Sequence, residues 1–486
     1  MRGLRRAWLA AAMIGLAAPA WAGSNAAAFD VTPWLADLEQ IRMALKTRYA
    51  NREWLEKDRG VPIDATLARV AARARTVGSE AEMRALFDQL IRRINDGHVE
   101  LHWPARSVAP PAAPSSAGKT PATPEAFCAR LGYDARRAAP GITAQLSGYR
   151  PLADGNAIPA GTLAVGGTRL GIVRIGAFEA SAFPLLCVGA IARLRIEPTT
   201  GCDDACKDAI LTHVYGRLTA DYEERLRQLR AAGATVVLVD ITANGGGSEW
   251  AEAAARSLTS RVLVSARLGF VRGAHWAKQW SELAANLRQW TGEASPAERA
   301  RLLQWIAQAD AARVQAETAC DPESGCSWLG KAGYATGLVG STASNAFHDK
   351  PWGPYVFSAG QHDYHRGSWA GPLIVLTDQE TWSAAEEFAA MLQDNRAAVI
   401  LGARTGGAGC GHTAGGTPVT LTNSRAVLEL SDCVRFRADG SNEVSGVIPD
   451  VVIGWRADDG IALRTRLLAA GLPEAIRRAR SLATRK

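Results

Sequence analysis

The sequence predicts an α/β fold with a helical N-terminal unit, and three observations carry that expectation. Residues 168–175, 235–241, 372–377 and 398–401 are apolar runs rich in Val, Ile and Leu, the pattern of strands buried on both faces. Between them, residues 208–229, 248–258 and 384–393 repeat apolar positions at helical spacing, so strands and helices alternate as in a layered α/β sheet. Residues 29–94 show only the helical period, through Trp34, Leu38, Ile41 and Leu45 and again through Met83, Phe87, Leu90 and Ile94.

The 486 residues are 47% hydrophobic and 21% charged, which excludes a disordered, collagen-like or coiled-coil chain. Residues 1–22 read as an export signal: Arg2, Arg5 and Arg6 precede an apolar run over 7–18, and Ala20-Trp21-Ala22 stands before Gly23, an A-x-A cleavage pattern. That run is shorter than the roughly 20 residues a membrane crossing requires. Arg5-Arg6 also admits a twin-arginine signal, with the ordinary secretory route as the default. The formal charge is +7, with three of the arginines inside the signal and the rest scattered, which argues against nucleic acid as a partner. The expected layout is a signal peptide over 1–22, a helical N-terminal domain over 23–103, a Pro/Ala/Ser-rich linker over 104–126, an α/β core over 127–455 with a helical insertion near 276–317, and a terminal helical segment over 456–486.

Export alters the reading of the eight cysteines, because disulfides persist in oxidising compartments. Local spacing nominates Cys202 with Cys206, Cys320 with Cys326 and Cys410 with Cys433, leaving Cys128 to pair with Cys187. No C-x2-C pair or histidine at ligand spacing supports zinc.

Four loop sites could carry chemistry. Asn95-Asp96-Gly97-His98 sets an imidazole at the end of a helix, before a short alternating stretch. Asp240-Ile241-Thr242-Ala243-Asn244-Gly245-Gly246-Gly247 follows an apolar strand, and its contiguous glycines suit neither a P-loop nor a dinucleotide fingerprint. They free amide N–H groups to face an anion or a carbonyl oxygen. In Thr381-Trp382-Ser383-Ala384-Ala385-Glu386 a strand ends and a helix begins. Ser383 there is an N-cap, and its hydroxyl lies at the positive end of the helix. Finally, Glu443 precedes Ser445-Gly446-Val447-Ile448-Pro449-Asp450, a turn leading to an apolar strand.

Together these motifs, with Gln393-Asp394-Asn395 and the stretch from Gly402 to Gly407, resemble the S41 family of serine peptidases, which includes the C-terminal processing proteases and the tricorn core. The resemblance implies a ClpP/crotonase-like α/β catalytic core. Processing proteases place a lysine where this chain has Ala408, and no lysine lies between Lys350 and Lys486, so the pattern is closer to the tricorn-like Ser-His-Glu branch. By that resemblance Ser383 is the nucleophile, His98 the general base, Glu443 the group orienting His98, and the amides of Gly246 and Ala384 the oxyanion donors.

This chain departs from the branch in carrying Gly97 where the tricorn core has serine, Thr242 in place of a usual arginine, and no PDZ-like segment over 127–163. The expectation is an exported, periplasmic or secreted peptidase acting on peptides or unfolded proteins, without metal or organic cofactor. The alternatives are a non-catalytic ligand-binding protein or a small-acyl esterase on the same fold, and a metal-binding protein using His98, His102, His362 and His365.

Overall fold

The computed structural model describes residues 29–104, 123–153, 155, 157–199, 201–318, 320, 327–343, 346–347, 349–456 and 458–485. The expected export signal, most of the expected linker and Cys326 lie outside the described residues.

The chain opens with helices α1 (Thr32–Thr47), α2 (Ile63–Ala74) and α3 (Glu80–Ile94), then strand β1 (Glu100–His102). Helix α4 (Pro124–Arg130) takes up the end of the expected linker, because Thr123 caps it through the Ala126 amide at 3.2 Å and Pro124 fits the first helical position. Next come β2 (Arg150–Pro151), β3 (Ala160–Val165), β4 (Thr168–Arg174), α5 (Pro184–Leu194), α6 (Asp204–Ala231), β5 (Val236–Asp240) and α7 (Trp250–Ser257). Strand β6 (Arg267–Val271) leads into the insertion, which is two helices, α8 (Ala274–Arg288) and α9 (Pro296–Glu317). They break where Ser295 and Glu298 form a reciprocal capping box. The remainder is β7 (Leu329–Tyr334), α10 (Gly353–Val356), β8 (Leu373–Thr377), α11 (Ala384–Asp394), β9 (Val399–Gly402), β10 (Val419–Thr420), β11 (Val427–Glu429), β12 (Cys433–Phe436), β13 (Val451–Val452) and α12 (Ile461–Thr484).

The main sheet has the order β13-β9-β8-β5-β4-β3-β2. Its five strands from β13 to β4 are parallel, and β3 and β2 extend it antiparallel. The four apolar runs are its centre, as expected for strands covered on both sides. Alternate residues face opposite layers: Val237, Val239, Val375 and Ile400 pack with α6, α7 and α11, through side chains such as Leu226, Trp250 and Phe388. Val236, Leu238, Ile374 and Leu401 meet Leu468, Leu472 and Ile476 of α12. The terminal helix therefore supplies the second layer of the sandwich.

Two smaller sheets, β12-β6-β7 and β1-β11-β10, fall in stretches whose short strands and interrupting glycines hide the period of two. Helices α1 to α3 share one core with the second of these: Ile41, Leu45, Phe87 and Leu90 close over Leu421, Leu428, Leu430 and Val444. The helical unit is thus welded to the body that carries the loops discussed below. Disulfides join Cys128 to Cys187, Cys202 to Cys206, and Cys410 to Cys433.

Because Leu428 is fully buried in that shared core, Leu428→Ala is expected to cost about 2–5 kcal/mol. Urea unfolding followed by tryptophan fluorescence measures this, and an unchanged midpoint would contradict the shared core.

Candidate active site

Ser383 stands where β8 gives way to α11, with φ 53° and ψ −119°. A non-glycine residue there stores roughly 1–3 kcal/mol of strain and persists only where its surroundings over-determine it. Several contacts do so. The Ser383 amide donates to Glu386 Oε2 at 3.1 Å, the Ser383 carbonyl accepts from Arg435 Nη2 at 3.1 Å, and the Trp382 amide donates to the Asn244 carbonyl at 2.9 Å. Asp378, buried beneath the turn, accepts from the Ala243 amide at 2.9 Å and pairs with Arg464 of α12 at 2.6 Å. The result ties the Ser383 turn to the glycine loop, and a Cβ on Gly246 would stand 2.8 Å from both the Ala384 nitrogen and Ser383 Cβ.

His98 follows Asn95, a left-handed C-cap at φ 53°, which turns the chain out of α3. Asp96 fixes this turn, accepting from Tyr49 Oη at 2.9 Å, Asn51 Nδ2 at 2.8 Å and the His98 amide at 2.9 Å. His98 Nδ1 lies 2.7 Å from the Ala408 carbonyl oxygen. A carbonyl only accepts, so Nδ1 carries the proton and Nε2 keeps the lone pair needed to act as a base. Burial pulls the His98 imidazole below its ordinary value, against Asp96 and the Ala408 carbonyl, which favour the charged form.

The loop bearing Ala408 is organised by Glu386. Its carboxylate accepts from Thr405 Oγ1 at 2.5 Å and from the amides of Gly407 and Ala408, each at 2.7 Å. One buried side chain therefore holds both the amide of Ser383 and the loop that orients His98. The Trp382 ring seals the junction, leaving no room for a side chain at Gly97 or Gly406. Among the described residues, Ser383 Oγ and His98 share no hydrogen bond.

Two expected roles are corrected. Glu443 makes no direct hydrogen bond to His98: its Oε1 accepts from Arg435 Nε at 2.9 Å and Nη2 at 2.7 Å, while the Ala408 carbonyl takes the place beside Nδ1. The Gly246 amide is not free for an oxyanion, because Asn244 Oδ1 accepts its proton at 2.8 Å. The Ala384 amide donates to no acceptor among the described residues. Neither do the amides of Gly245 and Gly247.

Four contributors lie outside the expected set: Glu386, the Ala408 carbonyl, Arg435 and Arg174. Arg435, buried on β12, binds Glu443, Glu387 and the carbonyls of Ser383 and Gly409. The Cys410–Cys433 bridge, nominated by its spacing, fastens the same loop to β12. Arg174 at the end of β4 pairs with buried Asp240 at 3.1 Å, and Asp240 in turn accepts from the Thr242 amide and hydroxyl. The glycine loop thus has its cation despite Thr242. Of the four, only Glu386 had a signal in the sequence, the S-x-x-E spacing from Ser383.

The other three histidines of the metal-binding alternative sit elsewhere. His102 lies near Glu100 and Glu429, His362 meets the Tyr215 ring edge-on, and His365 Nδ1 meets Glu223 at 2.7 Å. No group of three His, Cys, Asp or Glu side chains among the described residues could hold a metal ion.

The model of the Peptidase family S41 matches residues 170–453, the span from β4 past Glu443. The chain belongs to this family of serine peptidases. Mature CPAF superposes with a TM-score of 0.57 at 14% identity, over 93% of this chain and 98% of that one. CPAF complexed with lactacystin gives 0.55 at the same identity, over 93% and 99%. These likenesses concern the fold. An uncharacterized protein of Chlamydia muridarum (strain MoPn / Nigg) is 32% identical over 105 residues, covering 20% of this chain and 16% of that protein. In the S41 chain described here, the family match leaves α1 to α3 and β1 outside, so His98 is contributed from beyond the matched span.

Two outcomes follow from this geometry. With its pKa lowered by burial, His98 is neutral above that value and would no longer be able to act as a base as pH falls through it. The acidic limb of kcat/KM is therefore expected below pH 6.5, the ordinary histidine value, and a limb above it would contradict the assignment. Glu386→Gln removes the charge that gathers these amides and is expected to lower kcat at least about tenfold, since hydrogen bonds to a charged group are worth about 1.5–3 kcal/mol each; steady-state kinetics on folded protein checks it.

Proposed function

We propose that this S41 peptidase is exported and cleaves peptide bonds with Ser383 as nucleophile and His98 as base. The observation that carries the reading is that one carboxylate, Glu386, holds both the amide of the strained N-cap Ser383 and the loop whose Ala408 carbonyl holds His98 Nδ1. Ser383 Oγ attacks the scissile carbonyl while His98 Nε2 takes its proton, giving a tetrahedral oxyanion. Collapse breaks the C–N bond, and the imidazolium returns the proton to the leaving amine. Water then attacks the acyl-serine with the same base, releasing the acid and restoring both side chains.

The Ala384 amide, first in α11, is the oxyanion donor this reading retains, with an amide of Gly245 or Gly247 as its companion. Such a donor is worth about 10²- to 10³-fold in rate. The Ala408 carbonyl orients His98. Glu443 acts at one remove, as a positioning residue that aligns Arg435 under the Ser383 carbonyl. This arrangement needs no metal or organic cofactor for acyl transfer.

The basic and apolar stretch over 1–22 and the disulfides support export into an oxidising compartment, periplasmic or extracellular. No helix among the described residues is long and apolar enough to cross a membrane. The substrates proposed are peptides or unfolded proteins, which can present an extended chain to the Ser383 turn.

Ser383→Ala and His98→Ala, each folded by circular dichroism, are expected to lose at least about 10³-fold in kcat on a peptide substrate. Unchanged hydrolysis in either variant would overturn the proposal.

A further inference from the structure

A cavity of about 1140 Å³ lies behind the nucleophile helix, between α11, the β12-β6-β7 sheet and the insertion helix α9. This exceeds the usual size of a small-molecule pocket, and its wall is chemically asymmetric. Ala312, Leu338, Ala390 and Met391 give it a buried apolar lining. Its buried polar wall carries Glu387 and Glu443. Arg435 is shared between these two carboxylates, and Glu443 Oε2, fully buried, accepts no hydrogen bond among the described residues. Burial, with Glu252 and Glu443 close by, lifts Glu387 to about 8 even beside that guanidinium.

The exposed lip is of opposite character. Arg267 and Lys331 line it, and each lies over an aromatic ring, Tyr334 and Phe436 respectively. Neither has a carboxylate partner among the described residues. A ligand complementary to this wall carries an ammonium or guanidinium at one end, an aliphatic stem, and a carboxylate at the other.

We propose that this cavity is a second binding site, separate from the Ser383 turn, for a basic amino acid or a short peptide ending in one. The basic side chain meets Glu443 and Glu387, and the terminal carboxylate meets Arg267 and Lys331. The evidence for the site is the cavity and its unpartnered carboxylate oxygen, and the site shares Glu443 with the mechanism proposed above.

Titration calorimetry of the mature protein with Nα-acetyl-lysine tests it, with Nα-acetyl-norleucine as the probe lacking the cation. Saturable binding with Kd below ~1 mM is expected, at least tenfold weaker for the norleucine probe. Ala311→Trp, an exposed position on the lip, fills the opening without touching the catalytic residues. That variant and Arg267→Ala/Lys331→Ala should each weaken binding at least tenfold while keeping the thermal midpoint. No saturable binding, equal affinity for both probes, or full affinity in Ala311→Trp would overturn the site.

Discussion

The geometry of the candidate site depends on one buried carboxylate. Glu386 sits in the first turn of α11 and gathers the amides of Ser383, Gly407 and Ala408 together with the Thr405 hydroxyl. No cation among the described residues shares it directly. Burial raises its pKa on balance, and it is the hydrogen bonds from Thr405, Ala408 and Gly407 that favour its charged form. Such an arrangement is directional, because each donor must lie along a carboxylate lone pair. It therefore sets the distance between the strained serine and the carbonyl that fixes the His98 tautomer.

A second layer of constraint comes from cations placed on neighbouring strands. Arg435 reaches from β12 to the Ser383 carbonyl, and Arg174 reaches from β4 to Asp240 under the glycine loop. Both are buried, and each is matched by carboxylates and carbonyls that would otherwise be orphaned. The glycine loop keeps a cation although Thr242 occupies the position where the family resemblance implies one. The physical requirement is met from another strand. The same logic applies at His98, where the Ala408 carbonyl holds Nδ1 and Glu443 is engaged by Arg435 instead.

Much of the fold was legible because it rests on local patterns. The four apolar runs became the parallel centre of the sheet, and the helical insertion, though not its division into two helices, and the terminal helix were visible in their periodicity. Of the smaller sheets only β1, in the alternating stretch after His98, was legible, since strands of two to six residues such as β10 and β7 carry too few alternations to register. At the site, Ser383, His98 and Ala384 could be nominated because turn and cap chemistry is local. The partners of His98 and of the Gly246 amide could not, since a carbonyl 310 residues away and a side chain turned back on its own loop leave no trace in residue type. Arg435 and Arg174 were invisible for the same reason.

The most direct measurement is a crystal structure of the protein after reaction with a fluorophosphonate. The account predicts a phosphonyl group on Ser383, with its oxygen about 2.7–3.1 Å from the Ala384 amide. His98 Nδ1 would remain on the Ala408 carbonyl, and Glu386 would still hold both loops. An adduct on another residue, or a phosphonyl oxygen turned away from α11 with His98 released from Ala408, would contradict it.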